Sequence, residues 1–357
     1  MKAALISLGS ISSVMTAEAM KRYFAAVEMI HLKEIEINFG KEAGVFYHGQ
    51  PLEHFDCVYV KGSFRYANLL RSLTTFLENR VPYLPLSADA FTVIHNKLLT
   101  HLTLQQQGIP MPKTYLSSTV DTAREVLRRA AYPIVMKLPE GTQGKGVMFA
   151  DSISSASSLL DTLGVLNQPF LIQEYVDTGG TDIRAFVVGD KVIAAMRRRA
   201  QTDEKRANIH AGGVGEPVQL TREMHKIAVD TAKALGAAIC GVDILEGPFG
   251  PVVIEANLSP GLQGISQVST INIAEAIAQF LYKQTEESLR EQRKEAASEV
   301  LKDIALEALA ELPQQEIITT LQFRGERIIL PELVTKLAQF SDMKEYVLRA
   351  KKGKLEI

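Results

Sequence analysis

The chain has 357 residues, with 39 Lys+Arg against 41 Asp+Glu and a formal net charge of −2. Its apolar fraction of 46% and charged fraction of 22% are those of a soluble globular protein, long enough for two or three compact units. The near-neutral balance gives no global pull toward nucleic acid or acidic membranes, and no apolar run reaches the ~18 residues of a membrane helix.

The amino terminus, MKAALISLGSISS, has only AALISL as an apolar run. That is shorter than the ~7 to 15 residues of a signal-peptide core, so a first strand followed by a Gly/Ser turn is expected. Residues 1 to about 90 then alternate strand-like and helix-like segments. KAALISL, FDCVYVKG and VPYLPL read as strands, and VMTAEAMKRYFAAV and YANLLRSLTTFLENR as helices. That order favours a parallel sheet with helices on its faces. HNKLLTHLTLQQQGIPMP gives a helix stopped by Gly108 and Pro110.

Residues 114 to 180 predict strand, helix, strand, Gly-rich turn, strand, helix and strand. From 182, DIRAFVVGDKVIAAMRRRA reads as a hairpin about Gly189 and Asp190. A Gly-rich loop, the helix TREMHKIAVDTAKALG, a second hairpin and the helix INIAEAIAQFLYK follow. Residues 284 to 312 read as a charged, solvated helix stopped by Pro313, before a small strand-strand-helix-strand unit. Cys57 and Cys240 lie in apolar runs without metal spacing. They read as buried free thiols of a reducing cytoplasm.

Four stretches carry candidate chemistry. In YPIVMKLPEGTQGKGVMFA, a strand ends at Lys137 and leads to Gly141, Gly144 and Gly146. Glycines let backbone N–H groups approach an anion, and lysine can neutralise phosphate. No Ser or Thr follows Lys145, so this is not a Walker loop but a flexible hairpin flap, with an ordinary hairpin turn as the alternative. In FLIQEYVDTGGTDIR, a strand edge at Glu174, Tyr175 and Val176 can bond a purine, with Asp182 toward ribose and Arg184 toward phosphate or substrate. A plain strand, loop and surface ion pair compete with that reading. In RRRAQTDEKRANIHAGGVGE, Arg206, Asn208 and the three arginines at 197–199 suit carboxylate or phosphate clamping, against a solvated charged loop.

The fourth stretch, GVDILEGPFGPVVIEANLSPG, is an apolar hairpin interrupted by Asp243, Glu255 and Asn257. A three-residue loop, Pro248-Phe249-Gly250, would pair Gly247 with Pro251 and set Asp243 opposite Glu255. Strand period two puts Asn257 on the same face. Opposed carboxylates need something positive between them. Two carboxylates and an amide are hard oxygen donors, which favours Mg²⁺ or Mn²⁺ over a pair of solvent-facing polar residues.

Together these stretches resemble the ATP-grasp superfamily, and within it the RimK-like α-L-glutamate ligases, over about residues 1 to 282. The resemblance implies an α/β and α+β multidomain ATP-grasp fold. Its expected parts are an amino-terminal pre-ATP-grasp parallel-sheet domain (1–92), a central subdomain with the flap (93–180), a carboxyl-terminal subdomain with the metal site (181–283) and a small extension (284–357). It implies Lys97 and Lys137 as ATP lysines, and Glu174, Tyr175 and Val176 as the adenine hinge. Asp182 would be the ribose contact, and Arg184, Arg206 and Asn208 would serve near the transferred group. Asp243, Glu255 and Asn257 would hold two Mg²⁺ or Mn²⁺ ions.

The implied reaction is ATP-dependent ligation of an amine, L-glutamate in that family, to an acceptor carboxylate through an acyl phosphate. A ligase with another amine donor, or an inactive nucleotide-binding regulatory protein, is the competing expectation. A homo-oligomer is expected, and neither membrane nor nucleic acid as partner. Two departures bear on the amine. Ala211 stands where the family often has arginine in N-x-H-R-G-G, and SPGLQGIS carries Gln263 and Ser266 where SPGLEGIE is frequent. The extension faintly resembles swapped-hairpin AbrB-like modules.

Overall fold

The fold was analysed from a computed structural model. It describes residues 1–139, 146–199 and 215–310, and in the tail 320, 322–338, 340–341, 344, 349–352 and 354–356. Residues Met1–Lys294 form one compact unit and Glu295–Ile357 a second.

The first sheet grows from β1 (Lys2–Ser7), followed by α1 (Ile11–Met20), β2 (Ala26–His31), and the antiparallel meander β3 (Ile35–Asn38), β4 (Gly44–Tyr47) and β5 (Gln50–Pro51). β6 (Cys57–Val60) completes a parallel sheet of order β2-β1-β6. Ala3, Ala4, Leu5 and Ile6 are wholly buried, as a strand covered on both faces requires. Ser10 caps α1 by accepting from the Ser13 N–H. α2 (Ala67–Leu77) buries Leu70, Leu73 and Leu77, one stripe at helical spacing. The expected strand VPYLPL forms only isolated bridges, Cys57 to Tyr83 and Leu86 to Ala237. Pro82 and Pro85 have no N–H to extend a ladder. α3 (Ala88–His95) and α4 (Lys97–Gln106) follow.

The second sheet is built from β7 (Thr114–Tyr115), α5 (Val120–Arg129), β8 (Ile134–Lys137), β9 (Val147–Ala150), α6 (Ile153–Val165) and β10 (Leu171–Glu174), in the order β7-β10-β8-β9. It has its own core, in which Val126 and Leu127 of α5 and Leu160 and Leu163 of α6 meet Ile134, Met136 and Ile172.

The third sheet comprises β11 (Thr181–Val188), β12 (Lys191–Arg199), β13 (Gly215–Pro217), β14 (Ile239–Gly247) and β15 (Gly250–Asn257), with α7 (Arg222–Ala234) between β13 and β14. Its order is β13-β12-β11-β14-β15, and central β11 is buried at every position. The hairpin β14–β15 corrects one expectation. Gly247 pairs with Gly250, not Pro251, so the turn holds two residues rather than three. A bulge then inserts Ile254 between the pairs Ile244–Val253 and Asp243–Glu255. The tighter turn and the extra residue cancel, and Asp243 still faces Glu255.

α8 (Gln263–Val268) precedes α9 (Ile273–Ala310), one continuous helix where two segments were expected. No proline or glycine interrupts it, and residues 291–298 are solvated on every side. In the second unit, β16 (Gln322–Arg324) pairs β17 (Arg327–Ile329), α10 (Glu332–Leu337) follows, and β18 (Arg349–Lys351) pairs an unanticipated last strand, β19 (Lys354–Glu356).

Candidate active site

Two cavities of the first unit share the side chains of Lys97, Ile254 and Glu255. The smaller, about 90 Å³, is walled by Val135, Val147, Phe149, Val176 and Leu245, with Lys137 and Glu174 also lining it. The larger, about 730 Å³, runs past Gly62–Tyr66, His95, Arg184, Asn257 and Ser259. Lys33, Arg65 and Lys97 line this cleft with Arg184, whose charge Asp243 already compensates, and Glu255 is the single carboxylate of the lining among the described residues. One cavity is therefore largely apolar, with two lysines and two glutamates in its lining, and the other carries an excess of basic side chains.

Lys97 opens α4, whose cap Asn96 accepts from the Leu98 and Leu99 N–H groups. Lys137 ends β8, where its Nζ donates to Gln173 Oε1 at 2.6 Å. Burial draws its ammonium down to about 8, Glu255 opposing and Lys97 adding to the effect. The bulge at Ile254 brings that side chain to both cavities. Phe149 and Tyr175 meet edge to face at 4.9 Å. Glu174 Oε1 accepts from the Tyr115 hydroxyl at 2.6 Å and pairs with Lys113 at 3.4 Å. The Glu174 and Tyr175 N–H groups donate within the chain, to the Lys113 and Pro133 carbonyls, and so are not offered to a ligand.

Behind the cleft lies a buried charged core. Arg184 donates from Nε and Nη2 to the two carboxylate oxygens of Asp243, both at 2.7 Å. Arg198 grips Asp182 in the same fork, at 2.7 and 2.5 Å, and its Nη2 reaches Asp243 at 2.9 Å. Cross-strand pairing explains the assembly, since Asp182 opposes Arg198 and Arg184 opposes Asp243 on adjacent strands. Burial alone would push the Asp243 carboxyl up, but the two guanidiniums outweigh it and hold it at about 2.

Two of the expected site residues lie in this core. Asp182, expected at the ribose, is 1% exposed, lines neither cavity and gives both oxygens to Arg198. Asp243 shares a face with Glu255 and Asn257 as expected, but is itself 1% exposed and capped by Arg184 and Arg198. Glu255 and Asn257 do line the cleft. Burial, with Asp243 behind it, pushes the Glu255 carboxyl up, and Lys97, Arg184 and Lys137 oppose that. Gly141, Gly144, Arg206, Asn208 and Ala211 lie outside the described residues.

Sequence matching places this geometry. Residues 94–281, more than half of the chain, match the RimK-like ATP-grasp domain. The chain belongs to the RimK-like ATP-grasp family. It is 37% identical over 237 residues to a probable alpha-L-glutamate ligase of Legionella pneumophila, covering 66% of this chain and 78% of that one. A protein so described from Thioalkalivibrio sulfidiphilus is 43% identical over 194 residues, 54% of this chain and 64% of that one. The fold is also that of the ATP-grasp ligase PsnB in complex with minimal precursor, Mg and ADP. The TM-score is 0.64 at 19% identity, over 80% of this chain and 97% of that one. D-alanine-D-alanine ligase from Coxiella burnetii gives 0.58 at 17% identity, over 85% and 99%. This RimK-like chain is an ATP-dependent ligase that joins a carboxylate to an amine.

Several residues of the site carried no advance signal. His101 and Gln173 contact across 72 positions, and neither was given a role in the sequence, although Gln173 lies within FLIQEYVDTGGTDIR. Thr178 and Leu245 line the small cavity without any chemical mark in the sequence. Gly62–Tyr66, in the stretch VKGSFRYAN, also line the cleft. No residue type within it points to a substrate.

Proposed function

We propose that this ligase adds an amino acid to the carboxylate of a small molecule or of a peptide or protein carboxyl terminus, with L-glutamate the leading donor. The observation that carries the proposal is the junction of an apolar, lysine-tipped pocket with a cationic cleft at Lys97, Ile254 and Glu255. In this reading the nucleotide base takes the apolar pocket between Val176 and Phe149, and Lys97 and Lys137 receive its phosphates. The acceptor carboxylate enters the cleft among Lys33, Arg65 and Arg184. Phosphoryl transfer makes an acyl phosphate, the amine attacks its carbonyl carbon, and inorganic phosphate leaves. No nucleophilic side chain is needed, because positioning and charge neutralisation carry such a reaction. The chain reads as the four parts 1–92, 93–180, 181–283 and 284–357, with the reaction at the meeting of the first three.

Oxygen donors of the cleft suit Mg²⁺. Glu255 and Asn257 would hold the ion as they stand, and Asp243 would join them only by giving up a guanidinium contact. The ion would neutralise phosphate charge. Two such ions would be held there, with Glu255 and Asn257 among their ligands. Gln263 and Ser266 sit on α8, just beyond Gly261 at the cleft edge. Their neutrality favours a broader choice of amine than glutamate as a second reading.

Incubation with ATP, Mg²⁺ and a panel of amino acids and acidic peptides should release phosphate and yield products heavier by one residue. Phosphate release that no amino acid stimulates would refute the proposal. Glutamate alone active decides for the first donor reading, and several amino acids active for the second.

A further inference from the structure

Four side chains form a run of hydrogen bonds behind the small pocket. His101 is 6% exposed and Gln173 3%. His101 Nδ1 lies 2.7 Å from the Lys97 carbonyl oxygen. That oxygen only accepts, so Nδ1 carries the proton and Nε2 presents a lone pair. The Thr114 hydroxyl donates to the Pro112 carbonyl at 2.8 Å, so it too offers a lone pair inward. Gln173 Nε2 stands 2.9 Å from His101 Nε2 and 2.8 Å from Thr114 Oγ1. Both amide hydrogens are thereby placed, and the amide oxygen accepts from Lys137 Nζ at 2.6 Å. Turning the amide over would set its N–H groups against an ammonium and its oxygen against two lone pairs.

We propose that His101 is a positioning residue for the nucleotide, holding the Lys137 ammonium in the small pocket through Gln173. The role rests on Lys137 being a phosphate-binding lysine. Gln173 is neutral, so it aims the ammonium without cancelling the charge that phosphate needs. His101 decides which way Gln173 points. Burial, together with the Lys137 charge, pulls the imidazole down to about 4, which keeps Nε2 an acceptor at neutral pH. The competing role for His101 is a tether that fastens the first turn of α4 through the Lys97 carbonyl.

The two roles use opposite nitrogens, and two substitutions separate them. His101→Gln keeps an acceptor near the Nε2 position, and His101→Asn keeps a donor near Nδ1. Binding of ADP with excess Mg²⁺ is measured by calorimetry for His101→Leu, →Gln and →Asn, each also in a Lys137→Met background. Losing the acceptor leaves the buried amide unsatisfied and free to turn, so His101→Leu and His101→Asn should weaken ADP roughly tenfold. His101→Gln should recover most of that loss. With Lys137→Met already present, His101→Leu should add less than about twofold, because the two act on one contact.

Wild-type affinity in His101→Asn with loss in His101→Gln would establish the tether and overturn the positioning role. An undiminished tenfold loss in the Lys137→Met background would overturn it as well. Where His101→Leu does not fold, the Gln and Asn variants decide between them. Lys137→Met binding ADP like wild type would instead remove the phosphate role of Lys137, and the positioning role with it. His101→Leu binding like wild type beside a weakened Lys137→Met would remove the positioning role alone.

Discussion

Replacing Arg198 by methionine keeps the apolar stem and removes a guanidinium that holds both oxygens of Asp182 and one of Asp243. In the wild type two cations and two anions compensate one another within the third sheet. The variant leaves Asp182, 1% exposed, without its fork. Breaking a buried pair by removing one partner costs about 3–5 kcal/mol. The loss has a ceiling, because Asp182 can take up a proton instead of staying ionised. Its folded-state pKa, which burial already raises to about 6 with Arg198 opposing, then moves further above the unfolded value of ~3.9, and a raised carboxyl pKa means that the folded state binds more protons than the unfolded one. Stability then falls as pH rises through that window, so the deficit should be largest near neutrality and shrink toward pH 4.5. Asp182→Leu with Arg198→Met removes both charges and should cost much less than Arg198→Met alone. Urea denaturation followed by circular dichroism at pH 7 and pH 4.5 measures all three. A deficit below ~1 kcal/mol, or one equal at both pH values, would show that Arg198 contributes packing rather than charge compensation.

Glu255→Ala should abolish turnover with little change in the unfolding transition, since it empties the junction of the two cavities; wild-type turnover would remove Glu255 from the chemistry. A Cβ at residue 247 would lie 2.7 Å from Val176 Cγ1, so Gly247→Ala should press Val176 into the small pocket and raise the ATP KM severalfold with kcat little changed. An unchanged KM would place the nucleotide elsewhere. The His101 imidazole, lowered from 6.5 to about 4, is neutral in the folded state while the unfolded chain takes up a proton. Its contribution, up to about 3 kcal/mol, is present above pH 6.5 and is lost as pH falls toward 4. His101→Gln should flatten that part of the stability profile, and an unchanged slope would refute a buried neutral imidazole.

The apolar runs and their period determined, by themselves, that β14 and β15 pair and that Asp243, Glu255 and Asn257 share a face. The facing of Asp243 and Glu255 agrees with that reading although the turn is one residue shorter, because the bulge at Ile254, which the alternation did not foretell, offsets the difference. Lys97 was singled out by the family resemblance alone and Lys137 by its place at a strand end, and the structure sets them at the start of α4 and the end of β8.

Tertiary structure alone decided what those side chains face. Arg198 and Asp182 are sixteen residues apart, and both looked like ligand-binding groups until the β11–β12 pairing closed them on each other. Asp243 read as a metal ligand, but Arg184, 59 positions away, reaches it first. His101 of α4 and Gln173 of β10 meet across 72 positions of the chain. Periodicity tells which way a side chain points from its own strand or helix. Whether it then meets water, a substrate or an opposite charge depends on elements distant in sequence. Burial makes that choice decisive, since a charge removed from water must find a partner in whatever packs against it.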